Sequence, residues 1–155
     1  MKKIISLLLI FTMMFSLCAC SSAKQLTVQE VENEFETVVD GGGMLDIKNS
    51  GDKVKSFTCV FEGSFTEDLS DEDYVREAYR LVMAGSGSQT YKHFKTFMTL
   101  YATATAITLL SGTESYELDE LVDIVCHGKK AEYNGWVISA DVNESTGTFT
   151  LSVRS

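Results

Sequence analysis

Few side chains in this sequence are equipped for chemistry. Two histidines, His93 and His127, and four cysteines, Cys18, Cys20, Cys59 and Cys126, supply the candidate bases, nucleophiles and metal ligands. Cys126 and His127 are neighbours, and adjacent helical side chains diverge by about 100°, so they do not make a dyad. Cys59 and His93 have no orienting third group in the local sequence to make a nucleophile signature. Beyond Cys20 no Cys-x-x-Cys, His-x-x-x-His or His-Glu-x-x-His spacing occurs, so no metal site is read. Serine-hydrolase, Walker and dinucleotide motifs are also missing. Gly41 to Gly43 follow a helical pattern. A phosphate-binding loop needs its glycines before a helix N-terminus, where amides point at the anion. The acidic run Glu67, Asp68, Asp71, Glu72 and Asp73 lacks the alternating oxygens and bend glycine of a calcium loop. No catalytic residue, metal or cofactor is expected.

Cys18 and Cys20 belong to a different chemistry. The chain opens Met1-Lys2-Lys3, followed by an apolar run from Ile4 to Phe15 and then small residues. A basic start, a short apolar segment and small residues make a secretory signal. The run falls short of the roughly 20 residues that span a bilayer. Leu17-Cys18-Ala19-Cys20 then resembles the lipobox of bacterial lipoproteins. Cys20 has an aliphatic residue three places before it and small Ala19 just before it. For Cys18, bulky Leu17 would occupy the place before the cut. The resemblance covers only the first 22 or so residues. It implies a diacylglyceryl thioether on the Cys20 sulfur, cleavage before it and acylation of the new amine by a fatty acid such as palmitate. Two or three chains anchor durably, since each buried methylene contributes about 0.8 kcal/mol. Ser21 is not the Asp that marks inner-membrane retention in two-membrane bacteria.

Residues 1–19 are thus read as a removed signal, 20–25 as a lipid-anchored tether and 26–155 as a single domain. The whole chain carries 13 basic and 22 acidic residues. Loss of Lys2 and Lys3 leaves the mature chain at net −11. Such a charge disfavours nucleic acid and anionic headgroups and keeps a domain soluble. Proline is absent, so no rigid proline-rich spacer separates anchor and domain. Cys59 and Cys126 are a candidate disulfide, since an extracytoplasmic site permits one. Buried free cysteine is the competing reading.

Periodicity then gives the elements. Thr27 and Glu30 form a capping-box pattern before Val28, Val31, Phe35, Val38 and Val39 at helical spacing, and glycines 41 to 43 stop that helix. "MLDIK" and "VKSFTCVFEGSF" are strands around an "NSGD" turn, the second with Phe57, Cys59 and Phe61 on one face. Ser70 is the expected cap of a second helix, with Tyr74, Ala78, Leu81 and Val82 inward. The segment from Tyr91 to Gly112 is read as one long helix, although "ATATAITL" also alternates like a strand. Tyr91, Phe94, Met98, Tyr101, Ala102, Thr105 and Leu109 share its expected buried face. The aromatic row Tyr91, Phe94, Phe97 and Tyr101 could line a cleft, but such spacing favours core. Ser115 is the expected cap of a further helix bearing Leu118, Leu121, Val122 and Val125, with His127 in its last turn before Gly128. Asn134-Gly135 signals a type I′ hairpin, and Trp136, Ile138, Ala140 and Val142 alternate beyond it. Phe149, Leu151 and Val153 repeat that pattern in the last strand.

The expected fold is α+β: a two-layer sandwich with an antiparallel sheet of four or five strands, helices on one face, in the order α-β-β-α-α-α-β-β-β. The expected function is a non-enzymatic envelope accessory or protein-binding module, anchored at the extracytoplasmic face of the cell membrane through Cys20. A small-solute-binding lipoprotein of a transporter is the alternative, and a hydrolase ranks last. Tyr91, Tyr101 and Trp136 are the candidate surface or cleft contacts. The expected partners are the membrane and an envelope protein.

Overall fold

The computed structural model describes residues 23–62, 69–84 and 87–155, with side chains from residue 93 onward in the last stretch. Cys20 with its signal, Glu67, Asp68 and the Tyr91 ring lie outside the described residues. The chain is α+β, with the elements α1 (Val28–Asp40), β1 (Met44–Ser50), β2 (Lys53–Phe61), α2 (Glu72–Met83), α3 (Gly87–Ser111), α4 (Leu118–His127), β3 (Ala131–Tyr133), β4 (Trp136–Asn143) and β5 (Thr148–Arg154). All strand pairs are antiparallel, in the order β1-β2-β5-β4-β3. The two strand groups therefore join through β2 and β5, the first group's inner strand and the last strand of the chain.

Register explains why one face of the sheet is apolar. Phe57 pairs with Val153, and Val153 with Ile138; Cys59 pairs with Leu151, and Leu151 with Ala140. Because side chains alternate along each strand, these rows point one way while Thr58, Ser152 and Ser139 form a polar row on the other side. Helices cover the apolar rows. Phe35 of α1 meets Phe57 edge-to-face, ring centroids 5.2 Å apart. Helix α3 touches the other three helices and strands β2 to β5, whereas α2 packs against α3 and α4.

Local signals behave as their chemistry demands. Thr27 and Glu30 complete a reciprocal capping box on α1. Asn134 and Gly135 both take positive φ, 49° and 80°, as a type I′ turn requires. Gly128 closes α4 in the left-handed conformation, φ 61°. Two caps differ from expectation. Asp71, not Ser70, caps α2, accepting from the Tyr74 amide at 3.1 Å. Glu117, not Ser115, precedes α4, without a side-chain cap. Residues 102–110 are helical. Their threonines are tolerated because Thr103 and Thr105 donate back to the carbonyls of Thr99 and Tyr101, each at 2.9 Å.

The phase of α3 corrects the expected buried stripe. Met98, Ala102 and Leu109 are buried, but Phe94 is 41% and Tyr101 36% exposed. His93, Thr96, Thr99, Leu100, Thr103 and Ile107 are buried instead. A helix enclosed by the sheet and three other helices buries most of its circumference, and among its described side chains Phe94, Lys95 and Tyr101 are the exposed ones. Val39, expected in the stripe of α1, is likewise 45% exposed.

Candidate functional site

The strip left open on α3 is the floor of a groove. Helix α1 forms one wall, through Glu34, Thr37 and Asp40. Glu114 and Tyr116, on the connection from α3 to α4, contribute at one end. The groove has two halves that share Tyr101. One half, about 340 Å³, is largely apolar, with Phe94, Phe97 and Met98 on its floor. The other, about 300 Å³, holds Glu34, Thr105, Thr108, Glu114 and Tyr116. From Phe94 to Thr108 the floor runs about 21 Å, at 1.5 Å per helical residue.

The rings along it are held rather than loose. Phe97 stacks on Tyr101 with centroids 6.1 Å apart, and the Tyr79 ring of α2 lies 6.0 Å from that of Phe97. Tyr116 is close enough to Tyr79, Tyr101 and Glu114 to feel them: burial, then those neighbours, raises its phenol above the usual range. Four aromatic rings from two helices and a connection thus form one cluster, with Tyr101 at the solvent edge. Among the described residues no ion pair engages Glu34, Asp40 or Glu114. No described lysine, arginine or histidine lines either half. The described lining of the groove is therefore aromatic, acidic at its walls and without a compensating cation.

Several titratable groups elsewhere are engaged by packing or pairing. His93 is buried, and its Nδ1 lies 3.1 Å from the Tyr74 hydroxyl. His127 sits at the end of α4, with Nδ1 3.1 Å from Asp123 and Nε2 3.7 Å from Glu72 of α2. Lys129 also reaches Asp123 at 2.8 Å, and these two partners, Lys129 first, hold the Asp123 carboxyl below its ordinary range. Arg76 bridges Glu72 at 2.7 Å and Asp119 at 2.6 Å, fastening α2 to the start of α4. The Tyr133 hydroxyl donates to Glu120, and burial followed by that bond raises its phenol.

The cysteine and tryptophan expectations need correction. Cys59 is a buried free thiol, so the Cys59–Cys126 bridge is not formed. Its sulfur packs into the corner between Gly43 and Val38, beneath α1, while Cys126 sits half-buried on α4. Burial pushes the Cys59 thiol up to about 12, which keeps it protonated and weakly nucleophilic. Trp136 is 1% exposed and is no surface contact. It lies on the inner face of β4, and its Nε1 donates to the Lys24 carbonyl at 2.6 Å. Tyr101 lines both halves of the groove; the Tyr91 ring is outside the described residues.

Sequence reasoning favoured the core for the aromatic row on α3 while keeping Tyr91 and Tyr101 as candidate contacts. It missed Glu34, Tyr79, Glu114 and Tyr116, which come from three other segments and carry no shared spacing. Among the described residues, no group of three or more His, Cys, Asp or Glu could hold a metal ion, and no helix is long and apolar enough to cross a membrane. Comparison with protein-family models, with curated proteins and with solved structures finds no match to this chain.

Proposed function

We propose that this chain is a lipid-anchored extracytoplasmic protein that binds another envelope protein and performs no catalysis of its own. The observation that carries the binding role is the exposure of Phe94 and Tyr101 on a helix whose other described apolar side chains are buried or half-buried. Large apolar side chains gathered on one open surface mark contact sites. The address is supported by Leu17-Cys18-Ala19-Cys20 after a basic and apolar leader. The engaged histidines and the protonated Cys59 support the non-enzymatic part.

The start of the described chain bears on how such an anchor would hold the domain. Lys24 is pinned three ways: its amide donates to Asn134 at 2.8 Å, its carbonyl accepts from Trp136, and its Nζ donates to the Leu109 carbonyl at 2.5 Å. Leu26 is fully buried. The segment expected as a tether over residues 20–25 is therefore part of the fold from Ala23 onward. Three extended residues reach about 10 Å, so a lipid on Cys20 would place the β3–β4 turn close to the bilayer.

The test is site-specific photo-cross-linking in intact cells, with the cross-linker at Phe94 or Tyr101 and, as control, at Thr150 on the opposite face of the sheet. A defined protein adduct from the groove positions and none from Thr150 is expected. Equal labelling from all three positions, or turnover in a hydrolase panel abolished by one point substitution, would refute the reading.

A further inference from the structure

We infer that the groove along α3 receives a basic, amphipathic segment of a partner protein, whose lysine or arginine side chains seat over Tyr101 and Tyr116 between Glu34 and Glu114. This deepens the protein-binding reading and rests on it. Charge complementarity selects the occupant. The polar half presents two carboxylates and two phenol rings, with no lysine, arginine or histidine among its described lining residues. Aromatic faces attract ammonium and guanidinium groups, more strongly once water is excluded. The adjoining half, floored by Phe94 and Met98, is apolar. An occupant must therefore carry cations on one stretch and apolar side chains on the next. The 21 Å floor matches about four turns of helix, the length over which a docked helix reads such a surface. An acidic or uniformly polar segment would meet Glu34, Asp40 and Glu114 as like charges or leave the Phe94 half unfilled.

The probe is a lysine- and alanine-rich peptide of about four helical turns bearing one phenylalanine, compared with its glutamate-for-lysine counterpart. Each is titrated into the full-length protein in non-ionic detergent and followed by calorimetry and by the Met98 methyl resonance. The lysine peptide should saturate and shift Met98, more weakly as salt is raised. The Glu34→Gln/Glu114→Gln double variant should weaken binding about five- to tenfold, as two partly exposed charge pairs allow. Both side chains are exposed, so folding is not at stake. Glu132→Gln, on exposed β3, should leave binding unchanged. The inference is overturned if the glutamate peptide binds equally well or if the double variant matches wild type. It is also overturned if tetramethylammonium binds as tightly as the peptide, which would make this a small-cation site. The intact mass of the same sample reports lipid on Cys20. An unlipidated protein that binds the peptide removes the anchor and keeps the groove; a lipidated one that ignores it does the reverse.

Discussion

Trp136→Phe tests how firmly the first described residues belong to the fold. The indole is 1% exposed and its N–H reaches the Lys24 carbonyl at 2.6 Å. Phenyl fills most of the space but removes the pyrrole portion, roughly 40 Å³, which at about 24 cal/mol per Å³ costs about 1 kcal/mol. The Lys24 carbonyl then loses its donor in a partly buried setting, costing about 1 kcal/mol more. The sum, about 2 kcal/mol, should lower Tm by about 4–8 °C for a chain of this size. Trp136 is the only tryptophan, so urea unfolding must be followed by circular dichroism rather than fluorescence. Hydrogen exchange locates the loss. The Lys24 amide, bonded to Asn134 at 2.8 Å, should exchange faster by more than the global change accounts for. A loss below about 0.5 kcal/mol, with Lys24 exchange unchanged, would refute the claim that the indole pins this segment.

Three further outcomes are expected. Because Cys59 is pushed from 9.0 to about 12 in the fold, its contribution is intact below pH 9 and is lost as pH rises from 9 towards 12. Stability should fall by about 1.4 kcal/mol per pH unit there, and Cys59→Ala should remove that part of the slope; equal slopes in urea melts would rule it out. A methyl on Gly43 would meet Cys59 Sγ at 2.9 Å and the Val38 side chain and carbonyl at 3.0 Å. Gly43→Ala should therefore destabilise by about 1–3 kcal/mol, and an unchanged melting temperature would show that the α1–β1 corner yields. If Cys20 carries the proposed lipid, a fluorophore at Asp52, at the end of the sheet shared with the β3–β4 turn, should be quenched by headgroup-labelled lipid in nanodiscs. One at Ser145, about 26 Å away along β4, should not; equal quenching contradicts the orientation.

Much of the architecture was legible because its signals are local. A capping box is satisfied within four residues, and Asn134-Gly135 specifies its own backbone. The alternation of Phe57, Cys59 and Phe61 states which face of β2 is buried before any partner is known. Such features depend on covalent geometry and short-range bonding, which the sequence contains directly. The caps of α2 and α4 slipped by one and two residues because Ser70, Asp71, Ser115 and Glu117 all offer side-chain oxygens near a helix start. The alternation of β4 put Trp136 on the apolar face, although it was also read as a candidate surface contact. Its bond to Lys24 was not legible, since 112 positions separate the two. The phase of α3 was illegible for a deeper reason. Apolar residues surround that helix, so periodicity offers no single buried face. Which aromatics emerge is decided by where other elements stop.

One of those stops is itself written in the sequence. Helix α1 ends at Asp40, and Gly42 turns the chain with φ 97° into β1. Gly41 has no side chain to conflict with Met98, whose methyl occupies the space a Cβ would need. Gly43 lets the chain pass tightly over Cys59. A longer α1 would continue over the start of the α3 strip and cover Phe94. The three glycines that looked like a simple helix stop therefore do two things: they set the corner into the sheet and leave the apolar half of the groove open. At the other end Gly112, with φ 75°, terminates α3 and sends the chain through Glu114 and Tyr116, which supply the polar half. The contrast between the halves thus follows from two backbone reversals acting on one helix. Residues at those reversals, more than any residue on α3 itself, determine that Phe94 and Tyr101 face solvent instead of the core.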